Sequence, residues 1–190
     1  YDGRRNVTTF TYDTVDRLVE QRDPLGTRTT WTYDPVGNVT GTLVTGAPGA
    51  SGAPIRLSSG FAEFDELKRP FRMTTHVLDP TGNVTGRVIT HTTFDKASRP
   101  TLVVVAEATG ASEVVRRRTE VRYDRAGRVD RMADNAGDNG AVQAGNVTER
   151  QYDKNGNVTL IRVTELSPGT NVPPKVFRTL FAYDALDRVK

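Results

Sequence analysis

The chain has 190 residues, a formal net charge of +3, a mean hydropathy of −0.50 and no cysteine. No long apolar run is present, so the composition excludes a membrane-spanning helix, and the lack of cysteine excludes disulfides and thiolate metal sites. The small positive charge is weak support for a polyanionic partner, and nucleic acid is not expected as one.

The first 45 residues predict short β-strands joined by tight turns. Segments rich in Thr, Val and aromatic residues alternate there with steps rich in Asp, Pro and Gly, the pattern of strands and hairpin turns. The predicted strands are Val7–Asp13, Arg17–Asp23, Thr27–Asp34 and Asn38–Thr45. The following stretch, residues 46–54, is rich in Gly and Pro and is predicted to be a flexible loop.

The remainder of the chain continues the same pattern with longer strands. Pro70 and Pro100 lack an amide donor, so they are expected to begin strands or to lie where the strand ladder does not need that donor. Residues 133–145 and 167–174 are predicted to be loops, and no segment has helical periodicity, which gives an all-β fold. The predicted strands are Ile55–Phe64, Phe71–Leu78, Asn83–Phe94, Thr101–Glu107, Glu113–Tyr123, Arg128–Met132, Asn146–Asp153, Asn157–Leu166 and Lys175–Asp184.

A short motif recurs along the whole chain: an aromatic residue, Asp, and then Arg or Asn four positions after the Asp. A partial copy has Asp79 and Asn83 without the aromatic, and Gly37, Gly82, Gly127 and Gly156 precede the Arg or Asn in four copies. So many agreements indicate a repeat protein. The complete copies are Tyr1-Asp2 with Asn6, Tyr12-Asp13 with Arg17, Tyr33-Asp34 with Asn38, Phe64-Asp65 with Arg69, Phe94-Asp95 with Arg99, Tyr123-Asp124 with Arg128, Tyr152-Asp153 with Asn157, and Tyr183-Asp184 with Arg188.

The motif predicts a β-hairpin with a bulge. Asp favours the first position of a type I turn, and Gly37 accepts the left-handed conformation that ends it, whereas Asp16, Lys68, Ser98 and Asp187 stand at that position elsewhere. The motif Asp is expected to pair with the Arg or Asn across the hairpin end, which places the aromatic opposite an apolar residue, as Tyr33 is opposite Val39. One face of each hairpin is then apolar, and we expect the motif aromatics to stack into a ladder.

This motif resembles the YD repeat of the RHS family, which includes bacterial polymorphic toxins, the C component of insecticidal toxin complexes and the animal teneurins. The resemblance covers residues 1–190 and implies β-hairpins that form a spiral sheet, part of a hollow shell that encloses a cytotoxic segment in the toxin members. No capping segment is visible, so a partial array from a longer chain is expected.

The resemblance implies a non-catalytic structural function, as the wall of a shell around a toxin or effector segment. The expected partners are neighbouring YD repeats and an enclosed polypeptide, and the location implied is secreted or cell-surface associated, in bacteria. The alternative is an adhesive or carbohydrate-binding repeat surface.

No residue pattern indicates catalysis, a cofactor or a metal. Gly-x-Ser-x-Gly, phosphate-loop and His-Glu-x-x-His motifs are all missing from the sequence. Residues 134–140 resemble a calcium loop but lack its bidentate Glu, and His76 and His91 have no ligand spacing around them.

Two other patterns have simpler interpretations than binding sites. Asn-Val-Thr occurs at Asn6, Asn38, Asn83, Asn146 and Asn157, but the repeat itself contains an Asn-Val step, so no glycan is expected. The basic stretch of residues 116–131 is interleaved with acidic residues, which favours cross-strand ion pairs over nucleic-acid binding.

Overall fold

A computed structural model describes residues 7–48, 52–138, 141–142, 145–165 and 173–190. Every regular element in these ranges is a β-strand, and the strands pair antiparallel with one another, so the predicted all-β hairpin fold is confirmed. The strands are β1 (Thr9–Tyr12), β2 (Leu18–Arg22), β3 (Arg28–Tyr33), β4 (Val39–Pro48), β5 (Pro54–Phe64), β6 (Pro70–Leu78), β7 (Val84–Phe94), β8 (Pro100–Thr109), β9 (Ser112–Tyr123), β10 (Val129–Asp138), β11 (Ala141–Val142), β12 (Asn146–Tyr152), β13 (Val158–Glu165) and β14 (Lys175–Leu180).

The chain divides into two compact units. The first comprises Tyr1–His91 and Glu107–Glu113, and its strands follow the order β1-β2-β3-β4-β5-β6-β7. The second comprises Thr92–Ala106 and Val114–Lys190, with the order β9-β10-β12-β13-β14 and β11 paired with β10. In the first unit, strands that are consecutive in sequence are neighbours, as expected of a meander whose connections are tight turns, and in the second unit β10 pairs with both β11 and β12.

The predicted strands agree with the structure except at some ends. Pro70 and Pro100 begin β6 and β8, as expected from their missing amide donor. The loop predicted for residues 46–54 is shorter, because β4 runs to Pro48 and β5 begins at Pro54. The loop predicted for residues 167–174 lies mostly outside the described residues.

The prediction of a loop at residues 133–145 is wrong for residues 133–138, and the rest of that range lies partly outside the described residues. β10 continues to Asp138, and its backbone stays in register with β9 as far as the pair Ala136 and Arg117. The polar composition suggested a loop, but a strand tolerates polar side chains when its backbone hydrogen bonds are made. Thr119 and Arg117 on β9 also bond the side chain of Asp134, which holds this part of β10 in place.

The hairpins have the bulged register that the motif predicts. Tyr33 pairs with Val39, and the register shifts between Thr32 and Tyr33. The same shift places Tyr123 opposite Val129 and Tyr152 opposite Val158. Since strands alternate in direction, the turns that close β1–β2, β3–β4 and β5–β6 lie at one edge of the first unit.

Few side chains are buried in the described ranges. The buried apolar residues are Ile89, Ala106, Ala108 and Ala133, and Ser59 is the buried polar one. The apolar face expected of each hairpin is therefore only half covered, and at the first strand Phe10 and Tyr12 remain more than half exposed. Stability must come mainly from contacts repeated between neighbouring hairpins, since a single hairpin is marginal. No helix in the described part of the chain is long and apolar enough to cross a membrane.

Candidate functional site: the repeat turn

Each motif turn is closed by two backbone hydrogen bonds. The Asp34 amide donates to the Asn38 carbonyl over 3.0 Å, and the Gly37 amide donates to the Asp34 carbonyl over 3.1 Å. Gly37 adopts a φ of 92°, the left-handed region that glycine enters at low cost. The partial copy at Asp79 and the turn that begins at Asp23 close in the same way.

The predicted positions that lack glycine are also left-handed. Asp16, Lys68, Ser98 and Asp187 have φ between 59° and 61°. Asp enters this region more readily than Lys or Ser, whose side chains have a steric cost there. At Lys68 and Ser98 the geometry of the turn therefore imposes a backbone conformation that these residue types disfavour.

The carboxylate of the motif Asp accepts several hydrogen bonds from its own turn. In the turn of Asp124, Oδ1 accepts from the amides of Ala126 and Arg128 at 2.9 Å each, and Oδ2 accepts from Arg128 Nε at 2.7 Å. Where the partner is Asn, its side-chain amide takes the place of the guanidinium, as in the 2.7 Å bond from Asn38 Nδ2 to Asp34 Oδ2.

The predicted Asp pairing is confirmed at every motif turn in the described residues, whereas the copy at Tyr1, Asp2 and Asn6 lies outside them. The side-chain pairs are Asp13 with Arg17, Asp34 with Asn38, Asp65 with Arg69, Asp79 with Asn83, Asp95 with Arg99, Asp124 with Arg128, Asp153 with Asn157, and Asp184 with Arg188.

These hydrogen bonds lower the pKa of the motif carboxyls. At Asp65 the side-chain hydrogen bond from Arg69 is the largest cause, followed by the bond from the Arg69 amide. At Asp79 the Thr81 hydroxyl is the largest cause, followed by the Asn83 amide, and together with the other hydrogen bonds of the turn they lower the pKa to about 2. The carboxylates are thus fixed in the charged form by their turns, which gives them a structural role and makes them poor proton donors.

The motif arginine also contacts the next copy of the motif. The guanidinium of Arg128 lies 4.3 Å from the centroid of the Tyr152 ring, and Arg17 lies 4.7 Å from that of Tyr33. Arg99 lies 4.3 Å from the Tyr123 ring centroid. These distances are those of cation–π contacts.

The hydroxyl groups of the motif tyrosines donate hydrogen bonds to the preceding copy of the motif. The Tyr152 hydroxyl donates to the Val129 carbonyl over 2.7 Å, and the Tyr33 hydroxyl donates to the Leu18 carbonyl at the same distance. Both acceptors directly follow the motif arginine of the earlier turn. Tyr123 and Tyr183 make the equivalent bonds to Pro100 and Val158. A backbone carbonyl thus satisfies the hydroxyl of each of these tyrosines.

The predicted ladder of stacked aromatic rings is therefore wrong at the steps to Tyr33, Tyr123 and Tyr152. A guanidinium lies over the ring at each step, so arginine and tyrosine alternate along the turns. Sequence reasoning assigned the arginine to its own Asp and missed its second contact. The signal that could have revealed it was the coexistence, in one repeat, of an Arg and a Tyr at fixed positions.

Other contacts link successive turns where the motif residue is Asn. Asn157 Nδ2 donates to Asp187 Oδ1 over 2.7 Å, and Asn155 Nδ2 donates to the same oxygen over 2.8 Å. In the first unit, Lys68 Nζ donates to the Val36 carbonyl over 3.3 Å. These side-chain hydrogen bonds join successive motif turns, in addition to the backbone hydrogen bonds between the strands.

The two histidines lie in strands of the first unit. His76 Nδ1 is 2.7 Å from Ser59 Oγ, and burial together with the charges of Arg56 and Arg87 lowers the His76 pKa, which favours the neutral ring. His91 Nε2 lies 3.5 Å from Glu113 Oε2.

The basic stretch forms the cross-strand ion pairs that its acidic neighbours suggested. Arg122 pairs with Asp130 at 3.0 Å, and Arg117 binds both oxygens of Asp134. Asp134 is the first residue of the calcium-like segment, and its carboxylate is occupied by this pair. Within the described residues, no group of three His, Asp or Glu side chains is placed to hold a metal ion.

Comparison with known proteins finds one matching family. The family described as RHS Repeat matches residues 12–48, which contain the turns that begin at Asp13, Asp23 and Asp34. A search of curated proteins finds no relative of this sequence.

The chain is similar to solved structures at low sequence identity, and at a TM-score of 0.62 the first of them shares its fold. A chain in the crystal structure of TcdB2-TccC3-Cdc42 is 17% identical, with a TM-score of 0.62 over 94% of this chain and 9% of that chain. A chain in the crystal structure of TcdB2-TccC3 without the hypervariable C-terminal region is 16% identical, with a TM-score of 0.49 over 97% of this chain and 10% of that chain. The chain thus spans about a tenth of the length of these structures.

Proposed function

We propose that this chain is a section of the wall of an RHS-type shell, which encloses and shields a toxin or effector segment; the match of the RHS Repeat family to residues 12–48 supports this. Its function is structural, and all of residues 1–190 serve as one array of YD repeats within a longer polypeptide. Its partners are further repeats of that polypeptide and the enclosed segment. The protein is a bacterial one, secreted or associated with the cell surface.

The main support is the use of the motif side chains. The carboxylate of each motif Asp is occupied within its own turn, and the arginines at Arg17, Arg99 and Arg128 join that turn to the next. Side chains with these hydrogen bonds and cation–π contacts hold the array together, and few of their polar groups are left to act on a substrate. A continuous, regularly joined array is suited to form a barrier around another chain.

Limited proteolysis of the longest natural polypeptide that contains this chain tests the proposal. We expect segments outside the repeats to resist cleavage under native conditions and to be cut once urea opens the repeats, with the sites located by mass spectrometry. A variant with Arg99→Asn and Arg128→Asn should expose these segments at lower urea, whereas Arg125→Asn should not. Rapid native cleavage of every segment outside the repeats would overturn the proposal.

One observation favours the alternative, a carbohydrate-binding surface. A cleft of about 220 Å³ in the first unit is lined by Phe61, Ser59 and His76, and the Phe61 ring is 53% exposed. An exposed ring beside hydroxyl and imidazole groups can stack on a sugar and hydrogen-bond to it. A glycan array with the wild-type chain and Phe61→Ala decides this alternative, with Phe177→Ala as the control because Phe177 is equally exposed on β14.

A further inference from the structure

The second unit contains an open cleft with an excess of arginine. Its volume is about 610 Å³, and it is formed on β9, β10, β12, β13 and β14. The charged lining consists of Arg122, Arg150, Arg162 and Arg178 against two carboxylates, Asp130 and Glu149.

The arginines of this cleft are only partly neutralised. Arg122 pairs with Asp130, and Arg162 Nη1 contacts Glu149 at 3.3 Å. The Nε atom of Arg162 is buried without a hydrogen-bond partner. Arg178 forms no ion pair within the part of the chain that the structure describes. Arg150 pairs with Ile161, next to the pair of Glu149 and Arg162, so its side chain belongs to the opposite face of the sheet. One positive charge, that of Arg178, is therefore left to bind an anionic group.

Strand register sets two of these arginines side by side. Arg162 pairs with Glu149 on one side and with Arg178 on the other, so two guanidinium groups lie on adjacent strands. Like charges directly across a sheet are destabilising, and an anion placed between them removes that cost. Planar guanidinium groups bind carboxylates through paired hydrogen bonds, which fits a carboxylate bridging the two.

The rest of the lining favours a polypeptide over a polyphosphate or a sulfated glycan. Asp130 and Glu149 repel a ligand that is anionic throughout its length. Leu160 and Leu180 lie two residues away from the pair of Arg162 and Arg178 and pair with each other across β13 and β14. The two leucines therefore form an apolar row on the same face as the two arginines. Leu180 is 79% exposed, so an apolar side chain that covers it is favoured by the hydrophobic effect.

We propose that this cleft binds a polypeptide segment in which acidic and apolar residues alternate. The carboxylates bind Arg162 and Arg178, and the apolar side chains cover Leu160 and Leu180. The proposal concerns a binding surface, and it goes beyond the shell, since a free peptide can be tested whether or not the chain forms a wall.

Binding of synthetic peptides to the 190-residue chain tests this proposal, with fluorescence anisotropy as the readout. The probe is a labelled peptide of alternating Glu and Leu, compared with peptides of alternating Glu and Ser or Lys and Leu. We expect the Glu-Leu peptide to bind most tightly, the Glu-Ser peptide more weakly and the Lys-Leu peptide not at all. Added salt should weaken the Glu-Leu complex.

Variants locate the site. Arg178→Gln should weaken Glu-Leu binding about tenfold, the usual effect of one lost charged hydrogen bond, and Arg178→Glu should weaken it further. Arg125→Glu, an exposed turn position outside the cleft with the same charge change, should leave affinity within about twofold. Far-UV circular dichroism verifies folding, and Arg178→Gln, which keeps the size of the side chain, serves if Arg178→Glu unfolds.

Three results would overturn the proposal. The first is no binding of the Glu-Leu peptide at millimolar concentration. The second is equal binding of the Glu-Leu and Glu-Ser peptides, which would remove the role of the Leu160–Leu180 row. The third is tighter binding of a heparin oligosaccharide that depends on Arg178, which would assign the cleft to sulfated glycans instead.

Discussion

Replacing Arg128 by Asn is expected to weaken the fold by removing the guanidinium from the next turn, where it lies over the Tyr152 ring and donates to the Asp153 carbonyl over 3.5 Å. The chain itself has Asn at this motif position in Asn38 and Asn157, where the amide still bonds the turn Asp. Arg128→Asn should therefore keep the turn closed and remove the guanidinium that lies 4.3 Å from the Tyr152 ring centroid. A cation–π contact at an exposed position stabilises by about 0.5–1 kcal/mol, so the free energy of unfolding should fall by about that amount.

A double-mutant cycle isolates this contact. Urea unfolding of the wild type, Arg128→Asn, Tyr152→Leu and the double variant gives the coupling free energy between the two side chains. The hydroxyl bond from Tyr152 to Val129 is lost in both Tyr152→Leu chains and cancels. Arg125→Asn in the same turn is the matched control and should change stability by less than about 0.5 kcal/mol. A coupling energy of zero would show that the guanidinium and the ring lie together without stabilising the fold.

The remaining predictions concern the turn itself. The pKa of Asp79 is lowered from 3.8 to about 2, and the other motif carboxyls shift in the same direction. Their contribution to stability is thus present above pH 3.8 and lost as the pH falls towards 2, so the urea midpoint should drop in this range, and an unchanged midpoint would contradict the prediction. Gly82→Ala should destabilise more than Gly37→Ala, because a Cβ at Gly82 would lie 2.8 Å from the Arg56 amide nitrogen, whereas nothing lies within 4 Å at Gly37; equal urea midpoints would refute this. Lys68→Gly should stabilise by up to about 1 kcal/mol by relieving a left-handed lysine, and a lower urea midpoint would argue against strain there.

The fold could be predicted from the sequence because the information is local and repeated. The spacing from Asp34 to Asn38 determines the turn, and the turn determines that Tyr33 lies opposite Val39. The prediction of a loop was wrong for residues 133–138 because their composition is that of a loop, while the partner strand that holds them in the sheet is β9. Cross-strand partners of this kind are not visible in a window of the sequence.

The contacts between turns could be predicted only in part. A half-buried tyrosine hydroxyl needs a hydrogen-bond partner, but the acceptor at Tyr152 is the carbonyl of Val129, and only the strand register brings together two residues more than twenty positions apart. The arginine-rich cleft could not be predicted from the sequence for the same reason. Arg162 and Arg178 lie in separate strands, and only the pairing of β13 with β14 sets them side by side.

The pairing of each strand with its neighbours in sequence has a consequence for how this protein is made. Every hairpin in the first unit from β1 to β7 can close as soon as its second strand has been synthesised, with no later segment required. A turn whose Asp carboxylate is occupied by its own backbone nucleates that closure locally, as Asp34 does through Val36 and Asn38. The loop that must close for each new contact stays short however many repeats precede it, so adding repeats lengthens the array without slowing each successive folding step.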